Sequence, residues 1–410
     1  MLMLWHDKYL GYYMHYEERD FFLAEKFCSI ALGTDLFYRN RQEIDGEASF
    51  SKEGLVPVDF SGVNPIKISS WEEAIIMLSE IYENYETIID TTRRNYMLQQ
   101  IGSFRKICRW LSGVPMSFRE IVAETMFVNE NPIGKQELAR EIFKLSKSLE
   151  SAGYSGNTEK MLAAWRKNRE ITNIDEVYQV LQELLANAKT KTLELGFSAI
   201  EDFDVTASLV FNVPYNAYCD YYTRTIQING DVIYTYEELK HLVAHEAYPG
   251  HMTHMAHRQK LLEAGKIPAD AGLVITNTAS SPVFEGIADY GLTLLNWLGS
   301  DDDKVCYYLN RVQSMCNLNA AYMMHSMGVS DDNIKDYMRK HFFNSKSKIE
   351  SRMRFISYPL RKPFMYAYWR GWEGIERGYA QIEQTQLSNY YKYLYDHMHS
   401  IDTALQFNKN

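Results

Sequence analysis

Between Ser69 and about Gly196 the chain repeats one local pattern: a capping pair, then apolar residues at three-and-four spacing. The pairs are Ser70/Glu73, Ser117/Glu120 and Asn173/Glu176. A capping oxygen that takes the N3 amide, with a glutamate reaching back, satisfies donors that a helix start otherwise leaves open. The apolar spacing then gives each helix one face to bury. A chain punctuated this way predicts a mainly α fold, with residues 1–200 as helical scaffold and cleft wall. At 410 residues with 46% hydrophobic and 23% charged content, it is long enough for two lobes or one large helical domain around a buried cleft.

The texture changes near residue 204. DVTASLVFNVPYNAYCDYYTRTIQING sets β-branched and aromatic residues in short runs and closes on Asn229-Gly230, which predicts two or three antiparallel strands. Thr235 and Glu238 then form a capping box that opens the next helix. Ser281-Pro282 reads as an N-cap and first-turn pair, after which the chain returns to helix. Residues 201–300 thus form a middle region of small sheet and helices, and 301–410 a helical region completing the cleft. The first 68 residues are aromatic and less regular. FYRNRQEIDGEASFSKEGLVPVDFSG in particular reads as a long connection that covers or lines a cleft.

Five of the eleven histidines fall in HLVAHEAYPGHMTHMAHR, residues 241–258. On a straight helix His245 and His251 would point about 120° apart and lie about 9 Å apart along the axis, too far to share an ion. Pro249 and Gly250 lie between them, however, and proline removes a ladder bond while glycine tolerates a distorted backbone. If the break absorbs two residues, His251 returns to the face it would occupy at i+4, and Glu246 stands beside an open metal position. His241 with His245, and His251 with His254 and His257, are competing same-face groupings. A solvated, metal-free histidine face is the plain structural alternative.

Downstream, SSPVFEGIADYG places Glu285 and Asp289 four apart on one predicted helix face. Glu285 follows His251 by 34 residues, enough chain for a second helix to bring back a third ligand. Asp289 suits the outer role of accepting the second N–H of a ligand histidine. A solvated acidic face is the alternative for this pair.

At these residues the sequence resembles the domain of unknown function 885 family, regarded as metallopeptidases similar to glutamate-zincins. The match is HEAYPGH at 245–251, EGIADYG at 285–291 and, more loosely, PLRKPFMYAYWRG at 359–371, within similarity running from about residue 150 to 385. The resemblance implies a small sheet beside the active-site helix, zinc on His245, His251 and Glu285, and Glu246 as general base. It also implies Tyr368 as oxyanion donor, for which a packed aromatic is the alternative reading. His254 departs from one common form of the motif, where relatives carry glutamine or glutamate, and leaves open an extra ligand or a changed substrate preference. The chain is shorter than many relatives.

Together these residues suit hydrolysis by zinc-activated water, with a peptide or other small amide as substrate. VFNVPYNAYCDYY, including Tyr215, is a candidate edge strand for an extended substrate. Arg361 or Arg224 could anchor a substrate carboxylate, which would make an exopeptidase, in the simplest form a metallocarboxypeptidase. The alternatives are a zinc amidase on a non-peptide substrate and a non-catalytic metal- or peptide-binding protein. A formal net charge of −10 argues against a nucleic-acid partner. Five scattered cysteines suggest neither a disulfide framework nor a thiolate zinc site. Asp7 and Lys8 interrupt the apolar start and no later stretch reaches membrane-span length, so the expectation is a cytoplasmic protein without a membrane partner.

Overall fold

The structure, a computed structural model, describes residues 14–41, 54–213 and 215–407. The chain start with Asp7 and Lys8, the middle of the 37–62 connection, and Pro214 in the candidate edge strand lie outside the described residues.

The fold is mainly α-helical with small sheets of two or three strands. Among the described residues seven α-helices precede the largest sheet: α1 (Glu18–Arg41), α2 (Trp71–Tyr85), α3 (Thr91–Leu111), α4 (Phe118–Met126), α5 (Lys135–Ser151), α6 (Thr158–Arg169) and α7 (Ile174–Glu194). After it come α8 (Tyr236–Glu246), α9 (His251–Glu263), α10 (Ser281–Asp289), α11 (Gly291–Leu294) and α12 (Asp301–His325). The chain closes with α13 (Asp331–His341), α14 (Lys346–Ser357), α15 (Arg361–Tyr379), α16 (Leu387–Asp396) and α17 (Ile401–Ala404). No helix among the described residues is long and apolar enough to cross a membrane.

Helix α1 replaces the irregular start expected from sequence, and it takes in Phe37 to Arg41 of the supposed connection. Its buried stripe, Asp20, Leu23, Ala24, Phe27, Cys28, Ala31, Thr34 and Asp35, has helical spacing. Three of those eight are polar, and Phe22 and Leu36 are exposed on the outer face, so apolar periodicity alone could not reveal it. Asp20 is buried because Arg93 of α3 meets it and Asp270 together, at 3.0 and 2.7 Å. The described later part of the connection does line a cleft: Gly54, Pro57 and Val58 form part of its wall. Strand β1 (Val58–Asp59) pairs antiparallel with β7 (Leu273–Val274), and β2 (Glu170–Ile171) with β6 (Tyr234–Thr235).

The three-stranded sheet is mixed rather than antiparallel. β3 (Thr206–Val210), β4 (Ala217–Asp220) and β5 (Thr225–Asn229) lie in the order β3-β5-β4. β5 runs antiparallel to β4 but parallel to β3. The chain crosses from β3 to the far edge, then turns through 221–224 and inserts β5 between the two. Ile226 and Ile228 of β5 are fully buried against the core shared with α7 to α9, so the most buried strand takes the middle slot. Asn229 therefore closes no hairpin. Its amide Nδ2 donates to the Val213 and Tyr215 carbonyls at 3.1 and 3.0 Å, pinning the crossing loop.

The capping boxes at Ser117/Glu120 and Thr235/Glu238 form in full. Ser70 caps its helix, but Glu73 turns instead to the amide and hydroxyl of Ser69. Asn173 caps through the Asp175 amide. Helix α10 starts one residue earlier than read, with Ser280 as N-cap and Pro282 in the first turn.

Candidate metal centre

Helix α8 stops at Glu246 because the next residues cannot continue its ladder. The Ala247 and Tyr248 amides still reach the Val243 carbonyl, but the Gly250 amide goes back six residues to Ala244, at 3.0 Å. Thr253 likewise reaches Ala247 at 3.2 Å, and the His254 amide then restores normal spacing to Gly250. Bonds spanning six residues instead of four are the two-residue absorption that the Pro-Gly pair predicts. Gly250 admits no side chain, since a Cβ there would lie 1.8 Å from the His245 carbonyl oxygen. Buried Tyr248, whose hydroxyl donates to Phe203 O and accepts from the Val205 amide, ties the break to the approach to β3. Tyr395 donates to Pro249 O at 2.8 Å.

The two rings consequently meet, with His245 and His251 edge-to-face at 4.7 Å between centroids. Glu285 enters from α10, its Oε2 3.4 Å from His245 Nε2 and 3.7 Å from His251 Nε2. His245 donates its Nδ1–H to Asp289 Oδ1 at 2.9 Å, because a carboxylate only accepts. That leaves His245 Nε2 facing a carboxylate oxygen that is buried and has no hydrogen-bond partner among the described residues. Two ligand atoms bound at about 2.1 Å in a tetrahedral shell lie about 3.4 Å apart. Two imidazoles and one carboxylate at these separations could hold a divalent metal ion, and their donor set fits zinc.

Charge supports the same fit. Glu246, Glu285 and Asp289 converge on the imidazoles in a buried space, an excess of negative charge that is costly unless a cation offsets it. Burial raises the Glu246 carboxyl despite His245 and His251, and raises Asp289 despite His245. For Glu285 burial acts upward too, but the His251 and His245 imidazoles outweigh it and hold the carboxyl at about 2. His245 is raised, since Asp289, Glu285 and Glu246 prevail over burial: the space calls for positive charge, which a metal ion on the neutral imidazole would supply.

Two cavities flank the ligand set, and His245, Glu246, Tyr215, Ala217 and Tyr368 border both. The larger, about 500 Å³, has mostly apolar walls, including Met255, Phe284, Phe364 and Met398. The smaller, about 290 Å³, is polar, with side chains of α12 and α14. Edge strand β4 runs along the cleft, and the Tyr215 hydroxyl donates to Gln227 at 2.8 Å. Burial and then the Glu285 carboxylate keep the Tyr368 hydroxyl protonated far above the ordinary tyrosine range, with a smaller push from Glu246, while Arg361 and Arg352 oppose them.

The other candidates lie apart from this ligand set, except His241, which forms a second group with His245 and Asp289 close enough to hold a metal ion. Arg361 lines the larger cavity, its guanidinium 5.2 Å from the Phe355 ring. Arg224 is remote from the cleft on a turn, over the Phe203 ring at 4.5 Å. His254 is not on the cleft wall, as a substrate-binding or extra-ligand role would require. It is 2% exposed, packed between Phe284 and Tyr395. His241 lies beside Asp289 at 3.9 Å and is pushed down to about 3 by burial and by His245. His257 meets Asp396 at 2.5 Å. Sequence reasoning missed Phe284, which stacks on His251 at 4.2 Å; its place next to Glu285 was the available signal.

No family model matches the chain, and no curated protein sequence does. Solved structures do. A "putative lipoprotein" from Colwellia psychrerythraea aligns over 82% of this chain and 69% of its own, at 15% identity and a TM-score of 0.52. A second such lipoprotein, from Shewanella oneidensis and of unknown function, aligns over 83% of this chain and 73% of its own, at 14% identity and a TM-score of 0.49. The first shares the fold.

Proposed function

We propose that this protein is a zinc-dependent hydrolase of peptide bonds, with His245, His251 and Glu285 as ligands. The observation that carries the reading is Glu285 Oε2: buried, without a hydrogen-bond partner among the described residues, and facing Nε2 of both imidazoles. Zinc held there supplies a Lewis acid and brings the pKa of water from 15.7 towards about 7. Glu246, bordering both cavities, takes the proton of the attacking water and returns it to the leaving nitrogen. The Tyr368 hydroxyl, which burial keeps protonated, donates to the substrate carbonyl oxygen as charge develops on it. Asp289 holds the His245 ring in the tautomer that leaves Nε2 free. Strand β4 offers an edge for an extended peptide.

The test is elemental analysis of the purified protein and three variants, alongside hydrolysis of a peptide library. The expected result is about one zinc per chain, lost in His251→Ala and Glu285→Ala and kept in Glu246→Gln. Hydrolysis in Glu246→Gln should fall by about 10²–10⁴-fold. Zinc retained in both ligand variants, or full turnover in Glu246→Gln, removes the reading.

A further inference from the structure

The polar cavity holds charges and donors that the proposed chemistry does not use. Along α12, Asn310, Gln313, Ser314 and Asn317 recur at helical spacing and turn one face to it. Asn310 and Gln313 are tied to Cys306 and the Phe342 carbonyl. The Ser314 hydroxyl and Asn317 Oδ1 are buried with no hydrogen-bond partner among the described residues, and Asn317 is 8% exposed. Opposite, α14 contributes Lys348 and Arg352, one turn apart and partly buried. Neither forms an ion pair within 4 Å with a described carboxylate. Of the cavity's three acids, Glu246 and Asp289 face the ligand set, and Glu238, which acts on Lys348 only from a distance, accepts at Oε2 from the Thr235 amide.

Buried polar atoms in native proteins nearly always find partners, and partly buried cations lie beside anions. Burial lowers the pKa of both Lys348 and Arg352, so their charge is opposed rather than solvated. The Arg352 guanidinium lies 5.1 Å from the ring of Phe355, which borders both cavities. In the larger cavity Arg39 is already paired with Asp35, and the Arg361 guanidinium lies over the Phe355 and Phe364 rings.

We infer that the α12–α14 cavity is the subsite for a substrate carboxylate, bound by Lys348 and Arg352, with Ser314 donating to it and Asn317 accepting a substrate N–H. This rests on the peptide-hydrolase reading and gives it a substrate class: peptides with a free carboxylate on the polar side of the scissile bond and apolar residues on the other. Neither basic residue lies in the motifs that pointed to the metal. The carboxylate comes from a chain terminus or from an acidic side chain.

Calorimetric titration of the zinc-loaded full-length Glu246→Gln protein separates these cases without turnover. The probes are acetyl-Ala-Ala-Ala as free acid, the same peptide as its C-terminal amide, and acetyl-Ala-Ala-Glu amide. One or both carboxylate-bearing probes should bind about tenfold or more tighter than the neutral amide. The tighter of the two identifies the source. Adding Lys348→Gln or Arg352→Gln should shrink that preference and adding both should erase it, while Lys346→Gln on the exposed face of α14 should keep it. Equal binding of all three probes, binding of none, or a preference surviving the double substitution overturns the inference. If wild-type protein cuts no peptide but the carboxylate preference follows Lys348 and Arg352, the subsite stands and the hydrolase reading falls.

Discussion

Gly371 lies against Gly286 where α15 crosses α10. A Cβ at Gly286 would sit 2.3 Å from the Gly371 carbonyl oxygen, and one at Gly371 would sit 1.9 Å from the Pro282 carbonyl oxygen. The two backbones therefore set the helix separation, with no side chain between them. Glu285 precedes one glycine and Tyr368 is three residues before the other, so this contact decides how far the phenol stands from the ligand set.

Gly371→Ala should force the two helices apart. Overpacking costs about 1–3 kcal/mol, and a backbone obstacle cannot rotate away as a side chain would. Both Gly371→Ala and Gly286→Ala should melt lower in scanning calorimetry. The double variant should lose less than the sum, because both methyl groups strain one contact. An unchanged melting temperature in either single variant contradicts the close packing.

Asp289 contacts the His245 ring at 2.9 Å. Removing such a partner of a ligand histidine typically costs 10–100-fold in metal affinity, by the general behaviour of these second-tier contacts. On the zinc reading, Asp289→Ala should weaken zinc by about that factor in chelator competition. Asp289→Asn, which keeps an acceptor oxygen, should lose less. Identical affinity in all three proteins would mean that His245 needs no support.

The sequence made the helical class legible because capping and periodicity are local, and Ser117 and Thr235 cap as their neighbours predict. The break between His245 and His251 was legible for the same reason, since Pro249 and Gly250 act on their own ladder. The stagger of the sheet was not, because nothing in residues 204–230 says that β5 inserts between β3 and β4. Helix α1 was hidden by Asp20, whose burial depends on an arginine 73 positions away. Lys348 and Arg352 carry no motif, and only the packing of α12 beside α14 brings them to the cleft. The burial of His254 was equally invisible, because α16 covers it from the far end of the chain.

Arg93 binds α1 to the turn after α9. Its guanidinium, Asp20 and Asp270 are each no more than 2% exposed in their side chains. Arg93→Met would leave two buried carboxylates without their cation. Breaking a buried pair in this way costs about 3–5 kcal/mol, and urea denaturation should register it. A loss below about 1 kcal/mol, the scale of a surface pair, would show that the network is solvated.

Acid should expose a second network at the α5–α12 contact. Burial tends to raise the Glu141 carboxyl, but Arg311 at 2.7 Å and Lys144 at 2.7 Å outweigh it and lower its pKa below the ordinary value. A carboxyl depressed in the folded state contributes stability that is complete above its unfolded pKa, about 4.3, and that is lost as pH falls through the folded value. Glu141→Gln should therefore be less stable than wild type in urea at pH 7. The gap should narrow on acidification below about pH 4, where unfolded glutamate is already protonated. Comparing the two proteins at each pH cancels the other titrating groups, and a gap that stays constant down to pH 3 would falsify the assignment.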